Sequence, residues 1–252
     1  MSVVETVLNN GVFTITLNDD KRRNSLSNEL TTELVTALDF ADNDASVRVV
    51  VLTNSGSVFC AGANLSERSS DGANSSSFVP QTFFGRFRHS PKPYVGRIAG
   101  HCVAGGMGLA AAMDISVAVD SAKFGFTEVR IGVAPAMISV VCLPKLRLVD
   151  AQAAFLRGHR FSAVEAARMG LINAAVPADA LDAEIDAIVN DLLAGEPGAI
   201  AASKQLIATV PTMAEQQAFE WTAELSARLF ASDAAREGMT AYLEKRPAPW
   251  VP

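Results

Sequence analysis

Cysteine is scarce in this chain, with only Cys60, Cys102 and Cys142, an odd number with no paired spacing. A disulfide framework is thereby excluded, and a reducing, cytoplasmic setting fits such usage. The three histidines, His89, His101 and His159, are far apart, and no HxxxH or CxxC pattern occurs, so no metal site is expected. Aromatic residues make up only 7%, which counts against an all-β sandwich. Basic residues are outnumbered: the formal net charge is −6 and the pI about 5.1. That balance leaves no basic face for nucleic acid or an anionic membrane. Apolar runs are short and broken by Gly, Pro or charge, which excludes a membrane span. The opening "MSVVETVLNNG" has neither the cationic nor the apolar region of a secretory signal.

What the chain has in plenty is Ala, Val and Leu. Its 252 residues are 49% hydrophobic, enough for one large α/β domain or two small ones with a generous core. "VVETVLNNGVFTITLN" reads as a hairpin around Asn9-Asn10-Gly11. Ser27 to Ala41 has helical spacing in Leu30, Leu34, Leu38 and Phe40, with Ser27 as the N-cap and Glu29 in the first turn. "VRVVVLTNSG" and "PYVGRIAG" are buried strands, and "DISVAVDSAKFGF" is a further strand pair. Residues 66–79 are small, polar and of low complexity, which predicts a mobile surface segment. From about residue 148 the chain turns helical, over 151–156, 163–169, 178–193, 198–208, 213–230 and 232–243, punctuated by Pro177, Pro197 and Pro211. No linker divides the chain. Residues 1–195 read as the core and 196–252 as a helical region that covers it or mediates assembly.

Two segments share one layout: "GSVFCAGANL" at 56–65 and "GHCVAGGMGL" at 100–109. Each follows a strand, bends through small residues and opens a helix. Glycine is unfavourable inside helices by roughly 0.5–1 kcal/mol relative to alanine, so the cluster of Gly105, Gly106 and Gly108 signals a geometric demand. Amides at helix starts lack intrahelical acceptors and carry the positive end of the helix dipole. Two of them aimed at one point form an oxyanion hole; tight strand–helix packing is the commoner use of such a bend. Neither loop matches GxxxxGK[ST] or GxGxxG in context, and no GxSxG elbow occurs. His101 beside Cys102 reads as a strand-end histidine and a buried thiol rather than a nucleophile pair.

The strings "KRRNSLSNEL" (21–30), "VFCAGANLSE" (58–67), "GHCVAGGMGLAAAMDISVA" (100–118), "AKFGFTEVRIGVAPA" (122–136), "FSAVEAARMGLIN" (161–173) and "DAAREGMTAYLEKRPAPW" (233–250) together resemble the enoyl-CoA hydratase/isomerase family, the crotonase superfamily. The resemblance spans nearly the whole chain. It implies an α/β fold, a crotonase-like superhelix of stacked ββα units with a helical C-terminal trimerisation region, assembled as a homotrimer or dimer of trimers. It implies an acyl-CoA thioester as substrate, as in fatty acid metabolism, with coenzyme A part of the substrate and no separate cofactor. By motif position the thioester oxygen is held by the amides of Ala63 and Gly105. Ala61, Asn64 and Leu65 share the substrate-binding loop, Arg22 and Arg23 lie near the CoA nucleotide, and Lys245 reaches a neighbouring subunit's CoA phosphates. An ordinary solvated charge is the other reading of Arg22, Arg23 and Lys245. Asn64 stands where an aspartate is usual, which predicts a looser loop.

For the chemistry, Glu128 in "FTEVRIG" falls on one of the two glutamate positions of the best-known hydratases, and Gly108 stands at the other. The bland reading of Glu128 is a solvated acid or an ion pair with Arg130. A lone carboxylate suits hydration, by taking a proton from water and delivering it to Cα. It equally suits Δ3,Δ2-enoyl-CoA isomerisation, by moving a proton two carbons along. The strings around Gly108 and Glu128 also resemble hydratases of branched or carboxylated enoyl-CoAs, which favours hydratase. A non-catalytic acyl-CoA-binding protein is the third reading.

Overall fold

The computed structural model describes residues 2–68 and 79–251. It opens with the expected hairpin, β1 (Val4–Asn9) and β2 (Val12–Leu17), paired antiparallel in register Asn9 with Val12. Asn10 and Gly11 both take positive φ, 47° and 81°, the backbone that a two-residue turn needs to match strand twist. Helix α1 (Asn28–Asn43) starts where Ser27 accepts from the Leu30 N–H. It buries Leu30, Leu34 and Leu38.

Thereafter the chain repeats one motion. β3 (Val49–Asn54) joins a long sheet and β4 (Val58–Cys60) a short one, followed by helices α2 (Leu65–Arg68) and α3 (Pro80–His89). β5 (Tyr94–Ile98) and β6 (His101–Val103) do the same before α4 (Gly105–Ala112). β7 (Ile115–Val119) and β8 (Lys123–Gly125) follow, before α5 (Ala136–Cys142) and α6 (Leu148–Arg157). Each ββα unit thus adds one strand to each sheet. β9 (Phe161–Ser162), α7 (Ala163–Arg168), β10 (Ala174–Val176) and α8 (Leu181–Ala194) complete the core. The long sheet runs β1-β2-β3-β5-β7-β10 and the short one β4-β6-β8-β9. All six residues of β3 are buried, as expected for a parallel strand covered on both faces.

One expectation needs correction. The stretch 114–126 holds two strands, but they do not pair: β7 lies between β5 and β10, and β8 between β6 and β9. Most of the segment 66–79 lies outside the described residues. At its start, α2 occupies Leu65–Arg68.

Helix α9 (Pro197–Thr209) is pinned by Lys204, whose Nζ donates to the carbonyls of Phe87 and Lys92 and to Asp114 Oδ2 at 2.6 Å. Helices α10 (Glu215–Phe230) and α11 (Asp233–Leu243) bury only Leu225 and Ala241 respectively. The tail then returns: Arg48 donates to the carbonyls of Trp250, Leu193 and Gly195, and Trp250 Nε1 donates to Ala194. No helix among the described residues is long and apolar enough to cross a membrane.

Candidate active site

In the short sheet β4, β6 and β8 run parallel, with Cys60 beside Cys102 and Val103 beside Gly125. Their C-terminal ends therefore share one edge, the place where parallel α/β sheets bind ligands. Ala61-Gly62-Ala63 leaves the first strand there, Ala104-Gly105 the second, and Phe126-Thr127-Glu128 the third. Register alone brings three stretches remote in sequence to one place.

The two loops touch through their backbones. Gly62 has φ +85°, and a Cβ on it would lie 2.7 Å from Ala104 Cβ and 2.8 Å from the Gly105 nitrogen. A Cβ on Gly105 would lie 3.2 Å from the Gly62 α-carbon and 3.6 Å from the Ala63 nitrogen. Among the described residues neither the Ala63 nor the Gly105 N–H donates to a protein acceptor. Gly105 is the first residue of α4, so its N–H has no intrahelical partner either. Ala104, the residue before it, has φ 50° and ψ −124°, a backbone that an L-residue adopts at a cost of about 1–3 kcal/mol and that clusters at functional sites. Its N–H donates to Gly125 O at 2.9 Å, tying the bend to the end of β8.

Glu128 heads a 3₁₀ turn, Glu128–Ile131, that closes on Gly132 at φ +81°. Its Oε2 is buried and has no hydrogen-bond partner among the described residues. Burial pushes its carboxyl above the ordinary 4.5. The expected competitor Arg130 does not pair with it, since that guanidinium donates to Arg157 O at 3.0 Å. Glu128 is near enough for its charge to add to the burial that raises the Cys142 thiol on α5. That thiol in turn meets Met107 O on α4 at 3.7 Å. The space where a side chain at Gly108 would begin is filled: its Cβ would lie 2.4 Å from Ile138 Cγ2 and 2.9 Å from Phe84 Cε1.

Behind the first loop lies a brace that sequence reasoning missed. Asn24 is fully buried; it donates to Val58 O at 2.7 Å and Ser55 O at 3.3 Å and accepts from the Asp19 N–H at 2.7 Å. Arg23 O accepts from Ala61 N, and Gly62 O accepts from Leu26 N. Arg22 is engaged with Glu29 at 2.8 Å and Asp19 at 3.4 Å. Asn64 does not leave its segment loose. Its Oδ1 accepts from Ser66 N and its Nδ2 donates to Glu67, whose other oxygen accepts from the Asn28 N–H. Leu65 is exposed at the start of α2. Lys245 lies just beyond α11, whose main contacts are with α10. Two clefts of about 520 and 690 Å³ open elsewhere, one between the first hairpin and α1 and one beside α3 around Asp42 and His89.

Comparison with known proteins gives the family and the fold. The sequence profile described as enoyl-CoA hydratase/isomerase matches residues 7–251. An enoyl-CoA hydratase of Mycobacterium tuberculosis is 33% identical over 242 residues, covering 92% of this chain and 90% of that protein. The 2,3-dehydroadipyl-CoA hydratase of Escherichia coli is 29% identical over 239 residues, 93% of either chain. The crystal structure of an enoyl-CoA hydratase from Mycobacterium smegmatis superposes with a TM-score of 0.92 at 30% identity, covering 98% of both chains. With the profile running unbroken through both glycine bends and the Glu128 turn almost to the last residue, this chain belongs to the enoyl-CoA hydratase/isomerase family, the crotonase superfamily.

Proposed function

We propose that the protein hydrates a 2-enoyl-CoA thioester. The thioester oxygen lies between the N–H groups of Ala63 and Gly105. As negative charge develops there in the transition state, each donor contributes about 3 kcal/mol. Glu128 takes a proton from a water molecule while the water oxygen bonds to C3 and the π electrons move onto the thioester oxygen. The protonated Glu128 then delivers that proton to C2 as the carbonyl re-forms. The observation that carries this reading is the buried Oε2 of Glu128, without a hydrogen-bond partner among the described residues, just beyond β8, which pairs with the strand that leads to Gly105.

In this reading the CoA moiety meets Arg22 and Arg23 near its nucleotide and Lys245 from a neighbouring subunit, while Ala61, Asn64 and Leu65 hold the loop against the thioester. No metal or redox group takes part. Supporting an assembly of three or six copies is the apolar surface left on one copy: Val140, Leu148 and Leu156 on α5 and α6, and Phe219, Tyr242 and Leu243 on α10 and α11.

One observation favours a second reading. The filled space above Gly108 leaves no room for a second acid, and a lone carboxylate can also move a proton from C2 to C4 of a 3-enoyl thioester. Turnover of 2-enoyl-CoA in water and of 3-enoyl-CoA, each followed in D2O by product mass, separates the two. Replacing Glu128 with Gln is expected to cut either rate by about 10²–10⁴-fold while leaving acyl-CoA binding close to the parent's. Undiminished turnover in that variant would overturn the assignment.

A further inference from the structure

The collision at Gly108 has a specific cause. Gly108 lies one turn beyond Gly105 on α4, hence on the same helix face as the free amide. The atoms occupying its Cβ direction belong to Ile138, whose Cγ2 and Cβ would be 2.4 and 3.0 Å away, and to Phe84. Both are deeply buried, at 4% and 6% exposure, and Phe84 is packed edge-on to Phe83 at 5.1 Å. Ile138 precedes Cys142 by one turn of α5, and Cys142 is the thiol that meets the Met107 carbonyl and feels the Glu128 charge. Ile138 therefore packs against α4, the helix that carries the Gly105 amide, one turn of α5 before that thiol. A β-branched side chain on a helix has essentially one rotamer, and the contact involves its Cβ as well as its Cγ2. This wall cannot fold away.

We propose that Ile138 is the specificity-determining residue of this site, setting how much bulk on the reacting carbons of an acyl thioester the site admits. The inference rests on the enolate chemistry assigned to Glu128. Gly108 and Ile138 act as one steric unit: the glycine is there because the isoleucine fills its side-chain space, and the isoleucine fixes the room beside C2 and C3. A straight acyl chain passes this wall, whereas a branch at C3 meets it.

The test compares a linear 2-enoyl-CoA with its 3-methyl counterpart in the parent, Ile138→Val and Ile138→Ala. The ratio of kcat/KM, branched over linear, is expected to rise roughly tenfold for Val and further for Ala, since one carbon in such a pocket is worth about 10–200-fold. A ratio unchanged within twofold in folded, active variants overturns the proposal. Should Ile138→Ala fail to fold, the valine variant carries the comparison. The steric unit is tested separately by Gly108→Ala, which is expected to lower Tm in the parent and to lower it less in Ile138→Ala, where the Cγ2 atom at 2.4 Å is gone; equal losses in both backgrounds contradict it. Failure of the underlying chemistry looks different, because the parent would then neither turn over any enoyl-CoA nor exchange C2 protons of a saturated acyl-CoA with D2O.

Discussion

Gly62 and Gly105 meet backbone to backbone, so that a side chain begun on Gly62 would run into the Gly105 nitrogen at 2.8 Å. The two bends approach this closely only because glycine stands at both points of contact, 62 and 105. Gly62→Ala is therefore expected to push the loops apart and, by misaligning one donor, to reduce kcat by about 10²-fold or more. Steady-state kinetics alongside a melting curve checks this, since a loss confined to Tm would mean that the contact serves packing alone.

Asn24 sets the position of the first bend from behind. Its amide makes three hydrogen bonds in full burial to segments that are distant in sequence. Asn24→Ala strands those partners and is expected to cost about 2–3 kcal/mol of stability, read from denaturant unfolding. Turnover should fall with it, since Arg23 and Leu26 on either side hold Ala61 and Gly62.

For Glu128, burial raises the carboxyl above its ordinary 4.5. Hydration requires the ionised form, so the acid limb of kcat/KM is expected at a pH above 4.5, and Glu128→Gln should abolish it. The linked stability effect has a definite sign. The native state holds this proton more tightly than the unfolded chain, so stability falls as pH rises from 4.5 through the raised value. At pH 7 the ionised group destabilises the fold, and Glu128→Gln is expected to melt higher than the parent. The gap should close near pH 4; calorimetry at the two pH values decides.

Much of this was legible where the cause is local. Asn10-Gly11 announces its turn, Ser27 its helix, and the apolar run at Val49 its buried strand. The bends at 61–63 and 104–105 betray themselves because only small residues tolerate such close backbones. What escaped depends on partners far along the chain. Asn24 carries no local mark, since its meaning lies at Ser55 and Val58. β7 and β8 are both apolar, and nothing between them tells that they enter different sheets. Gly108 reads as a missing acid until Ile138 is seen filling its place, and α5, which carries that residue, has only a short apolar pattern after Pro135.

Lys204 offers a test of how α9 is attached. Its ammonium is buried against Asp114 and two carbonyls, at 8% exposure. Lys204→Met removes the cation and leaves these acceptors unpaired, an expected loss of about 3–5 kcal/mol. Equilibrium unfolding measures it. Restoring the charge with arginine should recover little, because the bulkier planar group cannot reproduce the compact donor geometry.

Finally, the bonds from Arg48 to Trp250 give the end of the chain an unusual status. With Lys204 holding one side and Trp250 the other, α10 and α11 form a handle moored at both ends rather than a loose arm. Two neighbouring copies could trade these helices only after unfastening the indole from Ala194 and the Trp250 carbonyl from Arg48. Any contact these helices make with another copy is thus a docking against a preset shape, and a few residues trimmed from the C-terminus would be felt at the start of β3.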